Sequence, residues 1–553
     1  MHIKKTHIVG LDFGTHGIGI SHAKFPEGDK ELEIFAKTNW NGKEYDKTLS
    51  FVLLNKNKKL VKLGYEAKIF ISDNDEDDDI FQYSDFKILL FDKERRGKPI
   101  PSDNNKNETA SLHQIISEVL KSLMETAINE LDCKYQNQVP LENIQWVITI
   151  PAIWDNYAKQ VMRECAIMAG LIHEHDQTYE PEAAALECIY GNKGMYNFKE
   201  GDKILVVDIG GGTADFVVLQ IDNKELKQIV APFGSNWGGK YESLVGKDIV
   251  DKYKVTPNFI EFIDRFEDIK KSIDSESNSK AIFLDPKLVF DMDENTFKTK
   301  ISIFNTNRSS NVSYNNNTRK LTIPKTVWIN FFTPLFNSIT DCIKDEVSKD
   351  SINNKLDFVF LIGGFNHNQL LRSHIEKELS YTNAKIISYV RPVLAVCIGS
   401  VRFGYNPKVI TTRCQPITLG IATSVKYDSD VHKLSDIVEF DGKLYYQKSF
   451  TKFVEYQDST NIDEEWTNEF PPLTEKVENS LISVYGGKRK NIKSTVENGV
   501  EHIGDLVVGI DMSVPYSERK TMVSMKLGLT EITVTAKCKT TGKTVKSVFK
   551  FKA

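Results

Sequence analysis

Two stretches in the first part of the chain share one pattern of apolar and polar positions. Residues 8–15 read IVGLDFGT and residues 205–213 read LVVDIGGGT, so an apolar run is followed by an Asp, by glycine and by a Thr. A second apolar run follows each stretch after the turn residues. This order predicts two β-hairpins that carry Asp12 and Asp208 at their mouths.

The spacing of the two hairpins indicates a duplicated domain. Asp12 and Asp208 lie 196 residues apart (208 − 12). Glycines let a backbone turn sharply and bring its N–H groups close to an anion, and an Asp beside a bound phosphate can supply an oxygen ligand to Mg²⁺. We therefore predict two halves that face each other across a nucleotide. The simpler alternative is that Gly210, Gly211 and Gly212 only form a hairpin turn.

Regular spacing of apolar residues predicts several helices between and after the hairpins. The clearest spans residues 111–131, where Ser111 and Gln114 can form a capping box. Apolar runs at residues 144–150 and 356–362 predict buried strands. The Asn- and Ser-rich residues 305–318 are predicted to form a loop. Further helices are predicted from residue 180 and over residues 155–169, 259–273, 326–348 and 368–379.

The pattern changes after about residue 411. The recognisable segments become short alternating runs, and no long amphipathic helix follows. Strands are predicted over residues 481–485, 506–512, 531–536 and 545–551. We therefore divide the chain into a first domain over residues 1–410 and a mainly β domain over residues 411–553.

Composition narrows the function and the compartment. The chain has 553 residues, enough for several domains, and a net charge of −5, which argues against a broad nucleic-acid surface. Its seven cysteines are scattered and form no CxxC pair, which favours reduced thiols in the cytoplasm over disulfides or a zinc site. We expect no secretory signal and no membrane span, because the apolar runs are too short.

An ordered set of motifs resembles the ATPase domain of the 70-kDa heat-shock chaperones, in the actin-like ATPase superfamily. The matching stretches read LDFGT at 11–15, YEAK at 65–68, ITIPAIW at 148–154, YEPEAAAL at 179–186, VVDIGGGTAD at 206–215, GGK at 238–240, EDIKKS at 267–272 and LIGGF at 361–365. The run GSVRFGYNP at 399–407 and the C-terminal residues look like the divergent branch of this family that contains proteins 12A and 12B.

This resemblance implies a fold and an activity. The implied fold is α/β, a duplicated actin-like (ribonuclease H-like) ATPase of two lobes, about residues 1–187 and 188–410, followed by a mainly β domain without a helical lid. The implied ligands are ATP or ADP with Mg²⁺. The implied function is slow ATP hydrolysis by a chaperone-like protein, with closure of the lobes around Mg·ATP and a peptide or protein client at the β domain.

The resemblance also assigns roles to individual residues. Lys68, Glu180, Asp208 and Thr213 match catalytic positions, and Asp12, Glu180 and Asp208 match the acidic positions around Mg²⁺, which they would reach through water. The remaining matches surround the nucleotide. They are Asp12, Gly14, Thr15, His16, Gly210, Gly211, Gly212, Gly238, Gly239, Lys240, Glu267, Lys270, Lys271, Gly363, Gly364 and Phe365.

Several of these residues have structural alternatives. His16 stands where the family usually has a second Thr, so it either donates to phosphate or acts as a spacer. Phe365 either stacks on the base or packs in the core. Glu267 and Lys270 either hold the nucleoside or form an ordinary helical salt bridge. Asp215 either joins the site or only orients the turn.

Other departures leave alternative functions open. Val393 stands where the family has an Asp, and the interdomain segment at residues 410–414 is neither acidic nor strongly apolar. Partnership with cochaperones is therefore not assumed. The alternatives to a slow ATPase are a nucleotide-liganded scaffold with negligible turnover, a small-molecule kinase of the same superfamily and, last, an actin-like filament.

Overall fold

The computed structural model describes most of the chain. The described residues are 4–28, 30–73, 79–171, 177–191, 195–237, 252–253, 256–274, 276, 278–432, 436–440, 442–462, 464–527 and 532–548. They group into two compact units. The first unit comprises Met1–Ile153, Met162–Val217 and Phe233–Pro407, and the second comprises Trp154–Val161, Val218–Pro232 and Lys408–Ala553. The domain limits drawn from the sequence at residues 410 and 411 stay a prediction.

Several helices begin at a side chain that caps free backbone N–H groups. Ser111 accepts from the N–H of Gln114 at 3.2 Å, and the Gln114 side chain accepts from the N–H of Ser111 at 2.9 Å, which confirms the predicted capping box. The α-helices of the described residues are Tyr65–Asp73, Leu112–Tyr135, Asn156–Met168, Glu180–Leu186, Pro257–Lys271, Pro286–Phe290, Glu294–Arg308, Lys325–Val347, Gln369–Glu378 and Ala395–Tyr405. Shorter 3₁₀ or π turns are Phe86–Leu90, Leu141–Asn143, Glu187–Gly191, Gly364–His367, Ser380–Thr382, Pro407–Val409 and Tyr516–Glu518.

A mixed six-stranded sheet carries the first predicted hairpin. Strands His7–Phe13 and Gly17–Lys24 are antiparallel neighbours, and Ile144–Ile150 runs parallel to His7–Phe13 on its other side. Asp12 lies near the carboxyl end of its strand, level with Thr149. The remaining strands of this sheet are Phe35–Ala36, Thr48–Leu49 and Gln177–Tyr179.

A second sheet repeats this order around the second hairpin. Lys203–Ile209 and Ala214–Asp222 are neighbours, and Phe358–Ile362 runs parallel to Lys203–Ile209. Asp208 lies near the carboxyl end of its strand, level with Ile362. Both predicted hairpins are confirmed, and each places an Asp where open α/β sheets bind ligands, outside the carboxyl ends of parallel strands. Lys385–Ser388 and Phe233–Ser235 complete the part of this sheet that lies in the first unit.

Smaller sheets complete the first unit. The three-stranded sheets are Leu60–Leu63, Phe51–Asn55 and Ile80–Ser84, and Ser279–Phe283, Lys320–Pro324 and Ser313–Asn315. The two-stranded pairs are Asn39–Trp40 with Lys43–Glu44 and Ile100–Pro101 with Thr109–Ala110.

The loop predicted over residues 305–318 is wrong in part. The helix Glu294–Arg308 enters this segment and ends only where Ser309 adopts a left-handed conformation, with φ 48°. Strand Ser313–Asn315 follows it. Local composition favoured a loop, but the side chain of Asn305 accepts from the N–H of Val312 at 2.9 Å and so holds the end of the helix against the next segment.

The second unit is built mainly from antiparallel strands. One sheet consists, in spatial order, of Ile437–Phe440, Lys443–Val454, Thr418–Lys426, Asn479–Gly487 and Val500–Gly509. The other consists of Glu465–Phe470, Thr521–Lys526, Thr533–Cys538 and Thr544–Val548. Leu419 and Val484 of the first sheet and Val534 of the second belong to one buried apolar core. Glu225–Gln228, Ile410–Cys414 and Ser459–Asn461 pair with one another in the same unit.

Two further observations concern the cysteines and the helices of the described residues. All seven cysteines lie among the described residues and carry free thiols. Within the part of the chain that is described, every helix is too short or too polar to cross a membrane.

Candidate functional site

A cavity of about 300 Å³ lies in the first unit, where the two hairpins meet. It brings together the residues that were predicted from both halves of the sequence. The predicted residues that line it are Asp12, Gly14, Thr15, His16, Glu180, Asp208, Gly210, Gly211, Gly212, Thr213, Glu267, Lys270, Lys271, Gly363, Gly364 and Phe365. Its volume is at the lower end of the range that is usual for small-molecule sites.

The two hairpin turns have the same backbone geometry. The N–H of Gly14 donates to the carbonyl of Gly17 at 3.1 Å, and the N–H of Gly210 donates to the carbonyl of Thr213 at 3.0 Å. The turns also touch each other, because a Cβ on Gly211 would lie 2.6 Å from the Cβ of His16. Only a residue without a side chain allows this approach, so glycine at 211 has a packing role as well as a turn role.

Four buried carboxylates lie below these turns. Asp12, Asp208 and Asp215 are 2%, 6% and 1% exposed, and Glu180 is 8% exposed. Asp215 accepts from the N–H of Ile153 at 3.1 Å and does not line the cavity. This position favours the second of its alternatives, in which it orients the turn.

Two lysines offset part of this negative charge. Lys47 Nζ lies 2.5 Å from Oδ2 of Asp12, and Lys87 Nζ lies 2.8 Å from Oε1 of Glu180. Lys87 is only 2% exposed, so its ammonium is removed from bulk water, and Glu180 is one of the groups that compensate for that loss. Each lysine therefore balances one carboxylate at the base of the cavity.

Burial, joined at Asp208 and Glu180 by the closeness of like charges, raises the pKa values of three of these carboxylates. Burial, and then Glu180, Asp215 and Asp12, raise the pKa of Asp208 well above its usual value. Burial raises the pKa of Glu180 to about 7, against the opposing effect of Lys87. Burial likewise raises the pKa of Asp215. The cluster thus holds fewer cationic groups than it needs to ionise fully.

The ammonium of Lys47 stays charged in this setting. Burial lowers its pKa, but Asp12, and to a smaller extent Asp208, outweigh that effect and the net shift of the Lys47 pKa is upward. Asp12 and Lys47 therefore form a charged pair in the lining of the cavity.

His16 lies at the contact between the turns. Its side chain has access to solvent, but the many protein atoms around it displace water, and this desolvation lowers the pKa of its imidazole. Lys271 and Lys270 add to this lowering, and Glu267 and Asp85 oppose it. A neutral ring can still donate one N–H, so both alternatives for His16 stay open.

Another part of the cavity wall consists of an ion pair and an aromatic ring. Lys270 Nζ lies 2.6 Å from Oε1 of Glu267, so the helical salt bridge exists, and it is buried against the cavity. Phe365 packs against Phe332 and Phe336 with ring centroids 5.9 and 6.2 Å apart, and it also lines the cavity. Phe365 can therefore pack in the core and also present a ring face to a nucleotide base.

Gly363 fixes the path of the chain beside Asp208. Its φ is +84°, and a Cβ there would lie 2.4 Å from the carbonyl oxygen of Ile209 and 2.5 Å from Oδ1 of Asp208. Gly364 differs, because no atom would lie within 4 Å of its Cβ. The first glycine is thus required by the protein, and the second leaves open space in the cavity.

The structure differs from the sequence-based prediction at Lys68. This lysine does not line the cavity. Helix Tyr65–Asp73 instead directs its ammonium to Asp264 Oδ1, at 2.6 Å, on helix Pro257–Lys271. Three further predicted residues, Gly238, Gly239 and Lys240, lie outside the described residues.

Sequence reasoning missed several residues of this site. Lys47 and Lys87 belong to the charge balance, and Tyr45 and Tyr65 stack at a centroid distance of 4.0 Å in the cavity wall. Most lysines are exposed, so nothing in the local pattern singles out these two. The available signal was indirect, because the acidic residues predicted to lie together carry negative charge that nearby cations must balance.

The carboxylates suit a hydrated magnesium ion. Mg²⁺ prefers oxygen ligands and usually takes one or two carboxylates together with water and phosphate oxygens. Asp12 and Glu180 already accept from lysines, whereas Asp208 forms no ion pair with any lysine or arginine of the described residues. Among those residues no group of three His, Cys, Asp or Glu side chains could hold a metal ion by itself. The site therefore fits an ion that arrives with phosphate and water.

Comparison with known proteins extends these findings. A family model described as Hsp70 protein matches residues 65–423. Heat shock 70 kDa protein 12A of Mus musculus is 26% identical over 98% of this chain and 90% of its own length. Heat shock 70 kDa protein 12B of Homo sapiens is 22% identical over 98% of this chain and 91% of its own. Chaperone protein DnaK of Metamycoplasma hominis is 25% identical over 50% of this chain and 44% of its own.

Proposed function

This chain belongs to the Hsp70 protein family, and from that premise we propose that its cavity binds Mg·ATP and hydrolyses it slowly. The observation that carries the proposal is the contact between two matching glycine turns above a buried carboxylate cluster. Turns of this kind present backbone N–H groups to an anion. The carboxylates below them suit the cation that accompanies nucleotide phosphates.

The charge count supports magnesium. Four buried carboxylates are accompanied by Lys87, which is buried, and Lys47, which is partly exposed, so a net charge of about −2 remains when all six groups are ionised. Burial first, and then the neighbouring carboxylates, raise the pKa of Asp208. Asp12, Glu180 and Asp208 would hold a magnesium ion through water, and the ion would neutralise charge on the phosphates when bound.

The residues around the cavity suit phosphoryl transfer to water. The turn N–H groups would bind the phosphates, and the Thr213 hydroxyl, on the second turn, would orient them. Glu180, whose pKa is raised to about 7 by burial, would accept a hydrogen bond from the attacking water. The reaction adds water across the bond between the terminal phosphorus and its bridging oxygen, and yields ADP, phosphate and a proton.

The second unit is proposed to bind a peptide or protein client. Its five-stranded sheet exposes an apolar cross-strand pair, Leu481 and Val507, which are 62% and 54% exposed. Exposed apolar residues on a sheet are typical of surfaces that take up extended peptides. Lobe closure around Mg·ATP and a cytoplasmic location belong to the same proposal, and cochaperones are not part of it.

One observation favours a second candidate, a nucleotide-bound scaffold with negligible turnover. Lys68, which the family resemblance assigned to catalysis, is paired with Asp264 outside the cavity. If that lysine were indispensable for hydrolysis, the site would bind ATP without consuming it.

Calorimetric titration with Mg·ATP and single-turnover hydrolysis, both on the full chain, distinguish the two candidates. A slow ATPase binds ATP and releases phosphate, and Asp208→Asn lowers its rate by roughly 10²-fold or more. The matched control is Asp345→Asn, which alters an exposed carboxylate on helix Lys325–Val347 and should leave the rate unchanged. Binding without phosphate release supports the scaffold. Absence of ATP binding at millimolar concentration contradicts both.

A further inference from the structure

The position of Lys47 points to a role that the sequence motifs assign to another residue. We propose that Lys47, and not Lys68, contacts the terminal phosphate of the bound nucleotide. This inference rests on the proposed function, because it concerns the same cavity.

The lysines near the cavity differ in their position and in the partners that already hold their ammonium groups. Lys47, Lys270 and Lys271 line it, and Lys68 does not. Lys270 is committed to Glu267 at 2.6 Å, on the wall that Phe365 shares. Lys271 belongs to the same helix and therefore to the same wall. Lys47 is the lining lysine on the side of the first glycine turn and Asp12.

The backbone holds the Lys47 side chain along the first hairpin. Cβ atoms added to Gly17 and Gly19 would lie 3.3 Å from Cβ and Cγ of Lys47, respectively. The aliphatic stem therefore follows a track of two glycines on strand Gly17–Lys24. Its end reaches Asp12 Oδ2 at 2.5 Å, level with the carboxylate cluster. Larger residues at either glycine would displace it.

The ammonium retains donors for a ligand. It carries three N–H groups, and Asp12 is the hydrogen-bond acceptor that the described residues offer it. The remaining donors are available to phosphate oxygens at the mouth of the first turn. Lys68 is 20% exposed and pairs with Asp264, and neither of these two residues lines the cavity.

In the hydrolysis proposed above, Lys47 would act through charge. Negative charge on the terminal phosphoryl oxygens is partly neutralised by its ammonium, which keeps its proton throughout. The overall balance is unchanged, since water supplies the oxygen that phosphate gains and ADP leaves with the bridging oxygen. Because the contact is to the terminal phosphate, it should favour ATP over ADP.

Chemical labelling of the wild-type chain tests the assignment without a substitution. The side chains of Lys47 and Lys68 are comparably accessible, 18% and 20% exposed. Reductive methylation followed by mass spectrometry should therefore modify both in the free protein. A non-hydrolysable ATP analogue with Mg²⁺ is expected to protect Lys47, with ADP protecting it less and Lys68 unaffected. Protection of Lys68 instead of Lys47 would overturn the inference.

Variants give a second, quantitative test. Lys47→Met should lower the ratio of analogue affinity to ADP affinity by about 10- to 100-fold, the effect of losing one charged hydrogen bond. Lys68→Met is the matched control and should change that ratio less than about threefold. If Lys47→Met fails to fold, Lys47→Gln keeps a donor for Asp12 and enters the same comparison. Wild-type protein that binds neither nucleotide refutes the proposed function, whereas binding with an unchanged ratio in the Lys47 variants refutes only this inference.

Discussion

The pair of Lys87 and Glu180 gives the sharpest test of the charge balance beneath the cavity. The two side chains are 2% and 10% exposed, and their charged atoms lie 2.8 Å apart. Lys87→Met keeps most of the side-chain length and removes the charge. Glu180 would then be buried beside Asp12, Asp208 and Asp215 without its cation.

The expected cost is large because one partner of a buried pair is left uncompensated. Such changes typically destabilise a protein by about 3–5 kcal/mol. Here the cost depends on pH, because Glu180 can take up a proton. Its pKa is already raised to about 7 by burial and would rise further without Lys87. The loss in free energy of unfolding should therefore be largest near pH 8 and smaller near pH 6.

Urea titration of the full chain, followed by circular dichroism, measures this free energy. The double variant Lys87→Met/Glu180→Gln should recover most of the loss, because replacing both charges of a buried pair is often close to neutral. Lys287→Met is the matched surface control, since its pair with Asp291 is exposed, and should cause no measurable change. A cost below about 1 kcal/mol at pH 8 for Lys87→Met would refute the view that this lysine stabilises a charged cluster.

Three further predictions concern Gly363, the pH dependence that Glu180 confers and the core of the β unit. Gly363→Ala should lower the thermal midpoint markedly, because its Cβ would collide with Ile209 and Asp208 at a φ of +84°; Gly364→Ala should leave the midpoint unchanged, and a similar loss in both variants would contradict the geometry. The folded-state pKa of Glu180, about 7, lies above the usual 4.5, so its contribution to stability is present below pH 4.5 and is lost as pH rises through 7. Scanning fluorimetry from pH 5 to 8 without nucleotide should accordingly show that the thermal midpoint falls more steeply with pH for the wild type than for Glu180→Gln. Parallel profiles of the two proteins would contradict this role of Glu180. In the β unit, Leu419→Ala should lower the free energy of unfolding, measured by urea titration, by about 2–5 kcal/mol because Leu419 is fully buried. Leu481→Ala changes a side chain that is 62% exposed and should alter this free energy by no more than about 0.5 kcal/mol. Equal losses in the two variants would show that this core is wrongly placed.

The sequence revealed the parts of this site that depend on local pattern. Both hairpins, the Ser111 cap and the glycines of the turns follow from short-range rules, and the structure contains them. The cations that balance the buried carboxylates do not follow from local pattern. Lys47 lies far in sequence from Lys87, and each meets its carboxylate only through tertiary packing. No period or motif marks such residues.

Lys68 shows that a sequence motif does not fix the direction of a side chain. Its place in a motif suggested a phosphate contact, but the direction of a long side chain is set by the helix that carries it and by nearby partners. Asp264, 196 residues further along the chain, offers that partner. The loop predicted over residues 305–318 is a separate case and is wrong in part, because a capped helix extends into residues with weak helix propensity.

Hydrogen–deuterium exchange with and without Mg·ATP tests the central claim most directly, since it reports on the backbone N–H groups that are proposed to hold the phosphates. Saturating Mg·ATP should slow exchange in peptides covering residues 12–17 and 208–213 together, the two turns that meet at the cavity. Peptides of the outer sheet around Leu481 should not show this direct protection. ATP binding that leaves both turns unprotected, or protects only one of them, would contradict the account.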